Sequence, residues 1–293
     1  MREYPVFIPC ENKRIAAVVT VPEEAPEGVV LFTTGGGGTL RSQRFRLWTR
    51  AARQLADRGI ASVRMEFAGV GDSTGDVAMG FRNLPVDDVV RVAEFAMSVT
   101  GARRLGMCGN CGGARASLKA AASLPTCESM VLFWLKPLAR TVKGRPFLTT
   151  AVRLGQRFPR PLNRFAKHLY WRRQARSRRG NDVLEALRSV GRSKDLLLME
   201  TRSKLVGDMP RFVAELKANN PSHRIEMKGI DSTSMQAFQS LADQEVAVTS
   251  VVEWFERSFA TRASSDGAGS GEGAAVDASE LADGRSLQSE LRS

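Results

Sequence analysis

The chain contains little histidine, little cysteine and little continuous apolar sequence. It has two histidines and four cysteines in 293 residues, and so few cysteines exclude the dense disulfide framework of small secreted domains. The most apolar stretch, 130–135, falls far short of the ~20 residues that span a bilayer, which excludes a membrane-spanning segment. The first ten residues lack the apolar region of a signal peptide, and we therefore expect a cytoplasmic protein.

Acidic residues are absent from one long segment, 136–179, which holds 14 Lys and Arg residues. Since the whole chain carries a formal net charge of +12, this segment accounts for all of the excess. It lacks strand-like runs and is interrupted by prolines, so we predict a basic helical cap insertion over 138–192. Residues 263–293 combine Gly, Ala, Ser and acidic residues without aromatics, and this composition predicts a disordered acidic tail.

In the remaining segments, 1–137 and 193–262, apolar runs alternate with amphipathic stretches. The alternation predicts an α/β fold with a mostly parallel central sheet and helices on both faces. Only the two leading strands, which a short turn separates, are predicted to be antiparallel. Strands are predicted at 4–9, 14–21, 28–33, 60–67, 105–108, 129–134, 196–200 and 223–229, and helices at 43–58, 86–99, 114–123 and 245–262.

The most specific local motif is G-N-C-G-G at 109–113, which stands between an apolar strand and a helix-like segment. In a nucleophile elbow the reactive side chain lies on a strained turn, so the flanking residues must be small. Cys111 is therefore the candidate nucleophile, and the start of the following helix is expected to favour its thiolate form. Two alternatives stay open: a buried cysteine in a Gly-rich turn, and a redox pair of Cys108 with Cys111.

Two further glycine-rich turns follow predicted strands: four glycines at 35–38, whose amides could supply an oxyanion hole, and F-A-G-V-G-D-S-T-G at 67–75. With these motifs the chain resembles the α/β-hydrolase family across about residues 4–260. Within that family it resembles the exosortase A system-associated hydrolases, which also carry Cys at the elbow and a similar Gly-Val-Gly-Asp-Ser turn. The resemblance implies Cys111 as the nucleophile, Gly112 as the first oxyanion amide, and Gly36 or Gly37 as the second.

The acid and the histidine of that family are substituted in this chain. After the strand at 196–200 the chain continues Thr-Arg-Ser-Lys, and Ser232, preceded by Asp231, stands where the family has its histidine. Without a general base, plain hydrolysis is weakened, because such a base contributes about 10²–10⁴-fold. Asp231 and Ser232 are the candidate catalytic residues at this corner, with Asp231 as a weak base or an orienting group. His223 opens its predicted strand, so it should lie at the end of the sheet away from the elbow.

The predicted cap supplies the candidate substrate-binding or partner-binding residues: His168, Arg172, Arg173 and Arg176. In the resembling family such an insertion covers the pocket, from where His168 could reach Cys111. The basic face suits an acidic carrier protein that presents a phosphopantetheine thioester. A nucleic-acid surface is slightly less favoured, because a hydrolase scaffold has an interior pocket and no evident groove, and a lipid-headgroup surface is a further alternative. A solvated cap face remains the structural alternative.

Together these features favour a cysteine-dependent acyltransferase or thioesterase-like enzyme that acts on an ester or carrier-bound thioester through an acyl-Cys111 intermediate. We expect no cofactor, and no metal, because no second Cys or His pair has ligand spacing. A role in secondary metabolism fits this chemistry, and the resemblance implies envelope polysaccharide biosynthesis. Two alternatives remain: a catalytically degenerate hydrolase-like binding or scaffold protein, and a non-hydrolytic elimination or cyclisation.

Overall fold

The computed structural model describes residues 1–35, 40–77, 84–135, 182–201, 208–230, 238 and 240–266. The strands are β1 (Arg2–Cys10), β2 (Lys13–Val21), β3 (Gly28–Thr33), β4 (Ile60–Met65), β5 (Leu105–Asn110), β6 (Cys127–Phe133), β7 (Asp195–Thr201) and β8 (Ile225–Ile230). The α-helices are α1 (Leu47–Ala56), α2 (Val86–Thr100), α3 (Gly112–Ala120), α4 (Asp182–Val190), α5 (Asp208–Ala218) and α6 (Leu241–Asp266). A short 3₁₀ turn at Arg44–Arg46 precedes α1.

The eight strands form one sheet in the order β1-β2-β4-β3-β5-β6-β7-β8. The pairs β1–β2 and β2–β4 are antiparallel, and every other pair is parallel. The predicted fold class is therefore confirmed. Because β3 to β8 run in one direction, the segments that follow them all leave from the same edge of the sheet. We call this the carboxyl edge, and the opposite one the amino edge.

Helices cover both faces of the sheet, and two glycines of β5 show how closely they approach. A Cβ atom at Gly106 would lie 2.5 Å from the Phe255 ring of α6, whereas one at Gly109 would lie 2.8 Å from Ala114 of α3. Side chains three residues apart in a strand point to opposite faces, so α6 and α3 lie on opposite sides of β5. All residues of β3, β4 and β5 are buried, as expected for parallel strands enclosed by helices.

The core under α1 and α6 is largely aromatic. The ring of Trp48 in α1 lies 5.3 Å from Phe32 and 5.5 Å from Phe133, measured between centroids, and all three residues are buried. Trp254 and Phe255 of α6 belong to the same core cluster. Aromatic pairs at these separations add to the hydrophobic stabilisation of the buried area, so this layer holds the β3–β6 part of the sheet rigidly.

Several element bounds differ from the sequence prediction. The helix predicted at 43–58 is broken, because Phe45 and Arg46 have positive φ angles and α1 starts only at Leu47. Helix α5 was not predicted at all. The last helix was predicted at 245–262, but it begins at Leu241, where the hydroxyl of Ser240 accepts a hydrogen bond from the Asp243 amide at 3.0 Å. It ends at Asp266, so the first four residues of the predicted tail are helical, and 267–293 lie outside the described residues.

The chain divides into two compact units. One comprises Met1–Leu135 and Ser189–Ser293 and contains the sheet, and the other comprises Lys136–Arg188. Most of the basic cap predicted at 138–192 lies outside the described residues. Among the helices that are described, none combines the length and the apolar composition needed to cross a bilayer.

Candidate active site at the turn between β5 and α3

Cys111 occupies a strained turn between the carboxyl end of β5 and the first residue of α3. Its φ and ψ angles are 52° and −112°, a left-handed combination that side chains with a Cβ rarely adopt. The Cys111 amide donates a hydrogen bond to the Phe133 carbonyl at 2.9 Å, which ties the turn to the end of β6. The side chain is half-buried, so part of it stays accessible. This is the strand, turn and helix geometry predicted for an elbow.

The glycines around Cys111 are required by close packing. A Cβ atom at Gly109 would lie 2.5 Å from the Thr33 hydroxyl, and one at Gly113 would lie 2.5 Å from the Thr34 carbonyl oxygen. Both contacts are too short for any side chain, so α3 reaches its position against β3 only with glycine there. Gly112 is the first residue of α3, and the first amides of an α-helix have no partner within the helix. Its N–H is therefore suited to an incoming carbonyl oxygen.

The turn after β3 packs directly onto the elbow. The Gly35 amide donates to the Asn110 side-chain oxygen at 2.9 Å. A Cβ atom at Gly35 would lie 2.6 Å from the Cβ atom of Cys111 and 3.0 Å from the Gly112 nitrogen. The glycine segment that begins here thus starts beside the candidate nucleophile. Gly36 and Gly37, the other predicted oxyanion residues, lie outside the described residues.

The second glycine-rich turn, 67–75, is organised by a buried carboxylate. Glu66 follows β4 and accepts hydrogen bonds from the Arg41 guanidinium at 2.6 Å and from the Asp72 amide at 2.9 Å. The Ser73 hydroxyl accepts from the Ala16 amide at 2.8 Å and donates to the Glu66 carbonyl at 3.1 Å. This turn therefore joins β2, β4 and the segment after the glycines. The sequence analysis missed the Arg41–Glu66 pair, since the partners are 25 residues apart.

The other cysteine of the C-G-N-C motif has a different environment. Cys108 lies within β5 and is fully buried, and this burial raises the pKa of its thiol well above the ordinary value. All four cysteines are free. A redox pair needs a reactive, accessible thiolate, so the geometry favours the elbow interpretation over the redox one.

Trp134, which was predicted as the last residue of a strand, instead follows β6 with a φ angle of 51°. Its indole is buried, and its ring centroid lies 4.7 Å from that of Phe238. Within the described part of the chain the Trp134 Nε1 atom has no hydrogen-bond partner. The sequence offers no signal for the left-handed backbone of Trp134, because a tryptophan after an apolar run is equally typical of an ordinary core position.

His223 lies far from the elbow, as predicted, although β8 begins two residues later than expected. Its Nδ1 atom is 3.6 Å from Asp195, the first residue of β7, which places it at the amino edge. The predicted residues Asp231, Ser232, His168, Arg172, Arg173 and Arg176 lie outside the described residues. Among the residues that are described, no three His, Cys, Asp or Glu side chains stand together where they could hold a metal ion.

No protein-family model matches the chain, and no curated protein matches it in sequence. Solved structures do match. An esterase of Pyrococcus furiosus has 17% identity and a TM-score of 0.61, over 88% of this chain and 92% of that one. A dienelactone hydrolase from Anabaena variabilis has 18% identity and a TM-score of 0.55, over 88% and 98%. Est1E from Butyrivibrio proteoclasticus, bound to ferulic acid, has 14% identity and a TM-score of 0.56, over 87% and 99%. These likenesses show the fold, which is the α/β-hydrolase fold.

Proposed function

We propose that this protein is a cysteine-dependent acyl-transfer enzyme that acts on an ester or thioester through an acyl-Cys111 intermediate. The observation that carries the proposal is the left-handed backbone of Cys111, held between the end of β5 and the start of α3 with Gly35 packed against it. Strain of this kind costs about 1–3 kcal/mol, persists only where the surrounding structure enforces it, and clusters at functional sites. Two proteins of similar structure are an esterase and a dienelactone hydrolase, which supports an ester-acting enzyme.

The first step consumes a thiolate and forms a thioester. The Cys111 sulfur adds to the carbonyl carbon of the donor, and the carbonyl electron pair moves onto oxygen. The Gly112 amide and an amide of the 36–37 pair stabilise this oxyanion. When the carbonyl re-forms, the bond to the donor's sulfur or oxygen breaks, the donor leaves as a thiolate or alkoxide, and the acyl group stays on Cys111.

The second step needs an acceptor that is a better nucleophile than water. An amine, alcohol or thiol adds to the acyl-Cys111 carbonyl, loses its proton to a base such as Asp231, and expels the Cys111 thiolate. Because Ser232 replaces the family histidine, water is poorly activated and the acyl-enzyme should be long-lived. Transfer to an acceptor is therefore favoured over hydrolysis.

The decisive experiment is intact mass spectrometry after incubation with acetyl and hexanoyl thioesters of N-acetylcysteamine. The wild-type chain should gain one acyl mass on the peptide that contains Cys111, and Cys111→Ala should gain none. The same mass gain in Cys111→Ala would overturn the acyl-enzyme. A wild-type chain without an adduct, whose Cys111 alkylates no faster than free cysteine at pH 7, would instead establish the degenerate binding protein.

We further propose that the basic segment docks an acidic carrier protein. Fourteen basic residues without an acid give 136–179 a strong positive field, which accelerates association with an acidic partner and weakens with salt. Reversing Arg172, Arg173 and Arg176 to Glu should slow acylation from a carrier-bound thioester at low salt. Acylation from the N-acetylcysteamine thioester serves as the control and should stay unchanged. Equal carrier kinetics in the two proteins would reject the docking.

A further inference from the structure

We infer that Asn110 is a positioning residue for the proposed acyl transfer, because its carboxamide holds the turn after β3 against the elbow. The inference rests on the proposed function. Asn110 is the last residue of β5, it is buried, and its Oδ1 atom accepts the Gly35 N–H at 2.9 Å. The buried side chain directly before the candidate nucleophile thus binds the turn that follows β3.

The hydrogen bond fixes the first residue of the glycine segment beside the elbow. Since the Gly35 N–H is donated to Asn110, it is not available to an oxyanion, and the proposed function assigns that role to Gly36 or Gly37. Gly35 also fills the space beside Cys111 and Gly112 so closely that no side chain fits there. The separation of the β3 turn from the Gly112 amide is therefore set by one packing contact and one hydrogen bond.

A second anchor holds the far end of the same connection. Arg41, six residues after Gly35, is bound through its guanidinium to Glu66 at 2.6 Å and to Asp72 at 2.8 Å. The Arg41 amide also donates to Glu66 at 3.3 Å. Glu66 is itself buried, so this end is fixed by a charge-assisted contact to the end of β4. Asn110 and the Arg41–Glu66 pair thus bracket the short segment that carries Gly36 and Gly37.

Rigid attachment matters because an oxyanion donor acts only at the correct distance from the developing charge. Loss of one such donor typically lowers the rate by about 10²–10³-fold, and a misplaced donor loses part of that effect. Alkylation of a thiolate by iodoacetamide forms no oxyanion. The ratio of acylation rate to alkylation rate at Cys111 therefore reports on the β3 turn. Both rates are proportional to the population of the Cys111 thiolate, so a change in that population leaves the ratio unchanged.

The experiment measures both rates at Cys111 in the full chain, with hexanoyl N-acetylcysteamine thioester and with iodoacetamide at pH 7. Asn110→Leu keeps the size of the side chain and removes the acceptor, so the ratio should fall by about 10- to 100-fold. Asn110→Asp keeps an acceptor for the Gly35 N–H and should recover most of the ratio. Arg41→Ala removes the contact with Glu66 and should also lower the ratio. This variant tests the inference independently if Asn110→Leu does not fold.

Asn220→Leu is the matched control. Asn220 is also buried and its amide donates to the Leu216 carbonyl at 2.6 Å, but it follows α5, away from the elbow. Its replacement should lower the melting temperature and leave the ratio unchanged. Wild-type ratios in both Asn110→Leu and Arg41→Ala would overturn the inference while the acyl-enzyme stands. If the wild-type chain itself forms no adduct, the proposed function fails first, so the two failures are distinguishable.

Discussion

At the amino edge of the parallel sheet, buried polar side chains bind one another, whereas at the carboxyl edge the backbone itself is strained. Ser129, at the start of β6, accepts from the Trp254 indole at 2.7 Å and bonds the Ser258 hydroxyl at 2.9 Å. Arg224, just before β8, donates to Ser258 at 2.7 Å and its amide donates to Asp195 at 2.9 Å. This network joins three strands to α6 and stabilises the fold.

The carboxyl edge holds nearly all the left-handed residues other than glycine. Among the described residues seven such positions occur, and only Glu11 lies in the β1–β2 hairpin. The other six lie in the connections that leave β3, β5, β6 and β8: Gln43, Phe45, Arg46, Cys111, Trp134 and Phe238. Such strain is retained where the surrounding structure enforces it, and it clusters at functional sites. The contrast separates a hydrogen-bonded edge from a strained edge, and the proposed chemistry belongs to the strained one.

The largest expected difference concerns two cysteines at opposite edges. Burial raises the pKa of Cys127, the first residue of β6, to about 12, whereas Cys111 is half-buried at the carboxyl edge. At pH 8, well below that pKa, only about one Cys127 in 10⁴ is a thiolate, and that fraction grows as the pH rises. Iodoacetamide followed by peptide mapping should label Cys111 at least about 10³-fold faster than Cys127. Comparable labelling rates of Cys111 and Cys127 in the folded protein would contradict the proposed difference between the two edges.

The next effect tests the amino edge. Ser129→Ala leaves the buried Trp254 indole N–H without its acceptor, so the free energy of unfolding should fall by about 1–3 kcal/mol in urea titrations. Iodoacetamide reactivity of Cys111 should not change. The double variant with Trp254→Phe removes both partners, and it should be less destabilised than the sum of the single variants. Strict additivity would show that the hydrogen bond contributes nothing.

A smaller effect tests the strain at the elbow directly. Cys111→Gly relieves the left-handed backbone and should raise the free energy of unfolding by about 1 kcal/mol, or the melting temperature by about 2–4 °C. Cys111→Ala keeps a Cβ atom and serves as the control, for which no gain is expected. Equal melting temperatures of the two variants would mean that the turn carries no strain.

The smallest effect concerns the start of α6, where the chain returns from the carboxyl edge. Ser240→Ala removes the acceptor of the Asp243 amide and should destabilise the protein by about 0.5–1 kcal/mol. Ser240→Asn, which can cap equally well, should restore the melting temperature. A variant Ser240→Ala as stable as the wild-type chain would show that this cap contributes nothing.

The periodic elements were predictable because the signals are local. Apolar runs of strand length between amphipathic stretches gave the order of strands and helices. The glycines at 109–113 marked the turn between β5 and α3, although β5 ends two residues later and α3 begins two residues earlier than predicted. The missed tertiary contacts depend on distant partners. The buried Trp134 packs on Phe238, and the buried Glu66 binds Arg41. Helix α6 was predicted too short, because the cap at Ser240 was not recognised.

Sequence alone determined the alternation of the fold, the position of Cys111 in a Gly-rich turn and the concentration of positive charge in one segment. Each of these is a property of composition or of neighbours along the chain. Tertiary structure alone decided that Cys108 is buried while Cys111 is accessible, and that Asn110 and Arg41 hold the β3 turn. Burial and hydrogen bonding between separate strands set those properties, and no local pattern records them.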